Sequence, residues 1–247
     1  MPFELTEEQR DIQKAAMEFA EGEFLPEVAL EHDLGQRFPK EIWKRGCRLG
    51  FIGIHFPESL GGQGYGLLEN LLVTEQFCRK DSGLGIALSF SDFASEVVLR
   101  FGDETQKRQF LPSLIQGKSI SSGAFSEHSH GYDLKELSTK AQKDGASYIL
   151  DGRKSFVING SEADWFVVLC RTDSNSNPDF QGESLLVVEK GADGLEIFPS
   201  GKKMGIHMTS FGELIFSGTR VPSKNLIGPE GNGFSQTIID IRISNAI

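Results

Sequence analysis

The stretch Asp103-Glu104-Thr105-Gln106-Lys107, running on through Phe110-Leu111-Pro112-Ser113-Leu114-Ile115 to Gly117, decides how the chain divides. Asp103 is placed to cap a helix. Phe110, Leu111, Leu114 and Ile115 share one buried face of it, and Gly117 suits its end. Beyond Gly117 the period changes from helical to alternating. Leu137, Thr139 and Ala141 alternate with polar residues, and Asp144-Gly145 is a hairpin signal. Asp151-Gly152 reads as another turn. Phe166 to Leu169 and Leu185 to Val188 are apolar runs of strand length, and Ile215-Phe216 is a further strand core. Residues 173–179, with Ser, Asn and Pro, read as a loop. Short strands with frequent turns predict a barrel or sandwich.

Outward toward the start, the first half reads as helices. Thr6 with Gln9 fits a capping box, and Ile12, Ala15, Ala16, Phe19 and Ala20 follow at helical spacing. Pro26 interrupts. Phe38-Pro39 restarts a helix carrying Ile42, Trp43 and Leu49, which Gly50 stops. Gly61 to Gly64 form a loop. Leu67, Leu68, Leu71 and Leu72 mark the next helix, and another is expected over about 84–101. Toward the other end, residues 234–247 turn helical after Gly231 and Gly233 and stop without a capping signal, as an interrupted helix would. Residues up to about 117 are therefore expected to be helical and 120–227 mainly strand.

Composition narrows the function. The 247 residues carry 38% hydrophobic and 24% charged side chains and a net charge of −10, a globular composition without the basic excess of a nucleic-acid binder. A local site for an anionic ligand is still open. Cys47, Cys78 and Cys170 are odd in number and far apart, which argues against a disulfide framework or a zinc site and for a reducing compartment. With neither a secretory signal nor a membrane-length apolar run, the protein is expected to be cytoplasmic, with no membrane partner.

No Walker loop, His-Glu-x-x-His helix or Gly-x-Ser-x-Gly elbow is present. His128 and His130 lack a third ligand nearby, and nothing orients a histidine toward Ser126 or Ser129. No metal is expected. Glu127 reads as a structural hydrogen-bond partner rather than a general base, Phe125 and Phe156 as barrel core, Tyr132 as a turn residue and Asp133 as a turn cap.

Five segments in order go further. They are Phe56-Pro57-Glu58-Ser59-Leu60-Gly61-Gly62, then Phe101-Gly102-Asp103-Glu104-Thr105-Gln106-Lys107 with Leu111-Pro112-Ser113-Leu114. Ala124-Phe125-Ser126-Glu127 with Gly131-Tyr132-Asp133 is the third. Gly152-Arg153-Lys154-Ser155-Phe156-Val157-Ile158-Asn159 is the fourth, and Gly228 with Gly231-x-Gly233-Phe234 closes the set. Together they resemble the acyl-CoA dehydrogenase family over the whole chain.

The resemblance implies an α+β multidomain protein: an all-α N-terminal domain over 1–118, a β-barrel middle domain over 119–229, and over 230–247 the start of a C-terminal helical domain whose remainder is missing. It implies FAD, with Phe125, Ser126, Gly131, Phe156, Val157 and Ile158 at the cofactor and Tyr132 along the substrate path. The implied activity is flavin-dependent introduction of an α,β double bond into an acyl thioester, borne on CoA or on acyl carrier protein. A separate electron acceptor and a homo-oligomer, dimer or tetramer, are implied with it. Ile158 stands where the family has Thr, Phe156 where it has Trp, and Ser126 where it has Thr. The catalytic base is unassigned, with Asp240 a weak candidate. On these expectations this chain alone holds FAD weakly and is inactive. The other reading is a non-catalytic, family-like subunit serving assembly or ligand binding.

Overall fold

The structure is a computed structural model and describes residues 4–129, 131, 133–172 and 182–244. Helices α1 (Glu7–Glu23), α2 (Pro26–Gly35), α3 (Lys40–Arg48), α4 (Leu67–Lys80), α5 (Ser82–Ser89), α6 (Ser95–Phe101) and α7 (Glu104–Ile115) come first. Strands β1 (Ser121–Ala124), β2 (Lys140–Asp144), β3 (Ser147–Ile158), β4 (Trp165–Arg171), β5 (Glu183–Glu189), β6 (Leu195–Pro199), β7 (Phe211–Pro222) and β8 (Leu226–Ile227) follow. Helix α8 (Gly233–Ser244) comes last. The change of period after Gly117 is thus the change from helix to strand.

The caps form as their residue types dictate. Thr6 Oγ1 accepts from Gln9 N at 3.2 Å while Gln9 Oε1 accepts from Thr6 N at 3.0 Å. Asp103 and Gln106 repeat the device on α7. Gln106 also reaches beyond its own helix. Its Nε2 donates to the carbonyls of Lys224 and Leu226, at 2.8 and 2.7 Å, tying α7 to β8. Four rings, Phe19, Phe24, Phe51 and Phe77, pack edge-on or tilted with centroids 5.3–6.0 Å apart and join α1 to α4.

The strands form one mixed sheet in the order β6-β7-β3-β2-β4-β5-β8, with β1 parallel to β4. Beyond β1, Ser126 bonds to Ser155 of β3, so β1, β4, β2 and β3 make a closed circuit, the barrel of the expectation. Residues Trp165–Cys170 of β4 and Leu185–Val188 of β5 are apolar runs because both faces are covered there. Phe166, Val168, Leu186 and Val188 belong to one core with Tyr148, Leu150 and Leu214 of the sheet. The alternate residues Trp165, Val167, Leu185 and Val187 belong to a second core with Phe110, Leu111 and Leu114 of α7.

Three expectations need correction. Pro26 does not leave a gap: it occupies the first turn of α2, where its missing N–H costs nothing. Residues 84–101 are two helices, since the carbonyls of Phe90, Ser91 and Phe93 accept from Asn159 Nδ2, Ser121 N and Ser121 Oγ at 2.9, 3.0 and 3.1 Å. Ala94 then turns left-handed, at φ 68°, to start α6. Asp151-Gly152 is not a turn but an irregularity inside β3, where the register against β7 slips. At Gly152 φ is 145°, and a Cβ would stand 2.6 Å from Thr139 Cα, so glycine is what lets β3 pass this closely. The 173–179 loop lies outside the described residues.

Candidate active site

The site grows from a second irregularity in β3. Lys154 pairs with Leu214 and Val157 with Gly212, so Ser155 and Phe156 together face the single residue Glu213, a β-bulge. Strict alternation would turn Phe156 inward with Lys154. The bulge instead buries Ser155 and sends Phe156 out, at φ 55° and 59% exposed. A bulky residue held left-handed with its ring in solvent is a costly arrangement on both counts.

Ser126 and Phe156, expected at one place, are brought together. Ser126 Oγ donates to the Ser155 carbonyl at 2.6 Å, and Ser155 N donates to the Ser126 carbonyl at 3.0 Å. Val157 is buried, and Ile158 is half-buried with its carbonyl accepting from Ser122 Oγ. Gly131 exchanges backbone bonds with Glu127, at 2.7 and 3.2 Å. Phe125 is buried, its ring 6.2 Å from that of Phe93. Of the two phenylalanines read from sequence as core, Phe125 is core and Phe156 is not. Tyr132 and His130 lie outside the described residues.

Glu127 is a structural acceptor, and Lys154, which carried no role in the sequence reading, is its partner. Lys154 Nζ is fully buried and donates to Glu127 Oε1 at 2.9 Å and to the Phe125 carbonyl at 3.2 Å. Glu127 also accepts from the backbone N–H and the hydroxyl of both Ser138 and Thr139. Burial pushes its carboxyl up. The Lys154 ammonium and the two hydroxyls outweigh that and hold it down at about 2. This knot fixes the segment that carries Phe125 and Ser126 against β2 and β3.

Beside Phe93 opens a cavity of about 110 Å³, lined by residues of α4, α5, α6 and α8 and by the 90–94 break. Its lining includes the apolar Ile86, Phe90 and Phe93 and the titratable His55, Asp92, Glu96 and Asp240. His55 Nε2 stands 2.6 Å from Glu96 Oε1, outside hydrogen-bond geometry, and Arg100 Nε donates to Glu96 Oε2 at 2.6 Å. Burial raises the Asp92 carboxyl to about 6 and, with Glu96 and Asp92 as neighbours, raises Asp240 to about 7. Beyond Asp240, sequence spacing gave no sign of this cluster, because His55, the 92–96 stretch and Asp240 are far apart along the chain. Among the described residues, no group of three or more His, Cys, Asp or Glu side chains is placed to hold a metal ion, and no helix is long and apolar enough to cross a membrane.

The described residues form a helical layer laid on a curled mixed sheet, with an exposed aromatic ring at a bulge of β3 and a partly open cavity among α4, α5, α6 and α8. The acyl-CoA dehydrogenase N-terminal domain matches residues 6–118, and the acyl-CoA dehydrogenase middle domain matches residues 122–219. The chain belongs to the acyl-CoA dehydrogenase family.

An isobutyryl-CoA dehydrogenase of Dictyostelium discoideum is 36% identical over 231 residues, which are 94% of this chain and 55% of that protein. The acyl-CoA dehydrogenase of Geobacillus kaustophilus superposes with a TM-score of 0.92 at 31% identity, over 99% of this chain and 64% of that one. An acyl-CoA dehydrogenase of Bacillus anthracis, solved in complex with FAD, superposes with a TM-score of 0.88 at 30% identity, over 99% of this chain and 41% of that one. The chain thus spans about half the length of the curated relative it matches.

Proposed function

We infer that the protein is a flavin-dependent oxidoreductase that introduces an α,β double bond into an acyl thioester. The observation that carries this reading is Phe156: an aromatic ring 59% exposed, fixed left-handed at a bulge and adjoining Ser126. Such a ring suits a flat aromatic partner. The isoalloxazine of FAD fits it, and the family match supports that choice. FAD bound there supplies the hydride acceptor for the β-carbon of the thioester.

The chain's own residues do the positioning. Phe156 stacks. The backbone of Val157 and Ile158 lines one edge and that of Phe125, Ser126 and Gly131 another. Because the Ser126 hydroxyl proton is committed to Ser155, Ser126 offers a ligand lone pairs and its backbone. The Lys154–Glu127 knot keeps these segments in register with no reorganisation at the moment of reaction. The base that removes the α-proton is left unassigned. We further place the thioester on CoA, as the D. discoideum relative's name has it, with a separate electron acceptor and a dimer or tetramer as the assembly. Residues 1–118, 119–229 and 230–247 are taken as three units, and the three free cysteines support a cytoplasmic setting.

Titrating FAD with this chain tests the reading. Flavin fluorescence should be quenched in a weak, saturable way. Anaerobic addition of a short straight or branched acyl-CoA should bleach the visible flavin band in a longer product that also carries a C-terminal helical domain, and leave it unchanged with this chain alone. Saturable binding in that longer product without bleaching by any thioester would move the assignment to a ligand-binding, non-catalytic member of the family.

A further inference from the structure

Asp240, named from sequence only as a candidate for the base, has no assigned role in the dehydrogenase reading. It lies on α8, is 1% exposed, and neither of its carboxyl oxygens has a hydrogen-bond partner. A buried carboxyl without a partner carries its whole desolvation cost. The neighbours add to that cost, since Glu96 and Asp92 bring two more carboxyls to the same cavity. The positive groups nearby are already engaged: Arg100 is bonded to Glu96 and leans to solvent, and His55 stands against Glu96 as well. The remaining lining group that titrates, the Cys78 thiol, is pushed up by burial and then by Asp81, so it is neutral near pH 7. The cavity lining therefore combines the carboxyls of Asp92, Glu96 and Asp240 with the apolar side chains of Ile86, Phe90 and Phe93.

No metal-binding grouping exists among the described residues, so an ion held by several carboxylates at once is not what this geometry serves. The volume, about 110 Å³, is somewhat below the roughly 150 Å³ of an apolar cavity that takes a benzene. It suits an ammonium on a stem of a few carbons, and a lining of carboxyls and apolar side chains matches the two parts of such a group. Phe93 connects the cavity to Phe125 and so to Ser126 and Phe156.

We propose that this cavity receives the cationic end of an ω-amino acyl group, with the ammonium on Asp240 and the carbon stem between Ile86, Phe90 and Phe93. The inference rests on the acyl-thioester reading above and narrows its substrate to basic acyl chains.

Calorimetric binding of γ-aminobutyryl-CoA and pentanoyl-CoA to this chain tests it, since the two differ by an ammonium in place of a methyl. The aminoacyl thioester should bind about tenfold more tightly, as a charge-assisted hydrogen bond in a buried site provides. Asp240→Asn keeps the size of the side chain and removes the charge, so the preference should close. Equal binding, tighter binding of pentanoyl-CoA, or an unchanged preference in D240N would overturn the proposal. If neither thioester binds, the thioester reading itself fails, and n-propylammonium chloride then decides the cavity's chemistry. Thermal stabilisation above that given by n-propanol, lost in D240N, supports a cation site. No difference between the two compounds overturns it.

Discussion

Ser126 and Ser155 are joined twice, hydroxyl to carbonyl at 2.6 Å and amide to carbonyl at 3.0 Å, and this double link closes β1 onto β3 beside the bulge that turns Phe156 outward. The side-chain bond is one that sequence gives no way to foresee, because 29 positions separate its partners. Ser126→Ala removes it and leaves the backbone bond. The variant should lose about 1 kcal/mol. Urea denaturation with an unchanged slope and a lower midpoint is the expected record, and an unchanged midpoint would show the hydroxyl to be free.

Phe156 separates stability from binding. Its ring is mostly in solvent, so Phe156→Ala should change the unfolding free energy by less than about 0.5 kcal/mol. The same variant should weaken FAD about tenfold, the loss expected of a stacked ring. Flavin fluorescence titration reads the second effect, and a variant that binds FAD as well as the parent would remove Phe156 from the site.

Lys154 and Glu127 form a buried pair on which several elements converge. Lys154→Met leaves the Glu127 carboxylate buried without its cation and should cost about 3–5 kcal/mol. The pH dependence has a definite sign. Glu127 is held at about 2 against an ordinary 4.5, so it contributes stability above about pH 4.5 that is lost as pH falls toward 2. In the Lys154 variant this pH-linked gain should shrink or vanish. Acid unfolding followed by circular dichroism would show it, and identical acid limbs for the two proteins would refute the pairing.

Asp240 has the opposite sign. Its carboxyl stands at about 7 against an ordinary 3.8, so between those values the folded chain holds a proton the unfolded chain has released. Stability therefore falls as pH rises from about 4 to about 7 and is level above that. Asp240→Asn should match the parent near pH 4 and exceed it by on the order of 4 kcal/mol above pH 7, at about 1.4 kcal/mol per unit. Paired denaturant curves across that range check this, and a constant difference at all pH values would mean the carboxyl is ordinary.

The sequence by itself determined where helix gives way to strand. Phe110, Leu111, Leu114 and Ile115 repeat with the helical period before Gly117, while Ala141, Phe166 to Leu169 and Leu185 to Val188 follow strand patterns after it. Local caps were legible for the same reason, since Thr6 with Gln9 and Asp103 with Gln106 act within one turn. Ordered motifs were enough to point to the family, and they placed Ser126 and Phe156 in one neighbourhood.

Only the tertiary structure decided which way those residues face. Phe156 is outward because two residues of β3 oppose one of β7, and nothing in the local sequence states which strand will be the partner. Asn159, Ser121 and the carbonyls of residues 90–94 break one expected helix into two through contacts made across 28 to 69 positions. Asp240, Glu96, Asp92 and His55 meet in one cavity although His55, the 92–96 stretch and Asp240 are far apart along the chain. Periodicity records the solvent on either side of one element. A bulge, a helix break and a cluster of carboxyls record what the other elements do when they arrive.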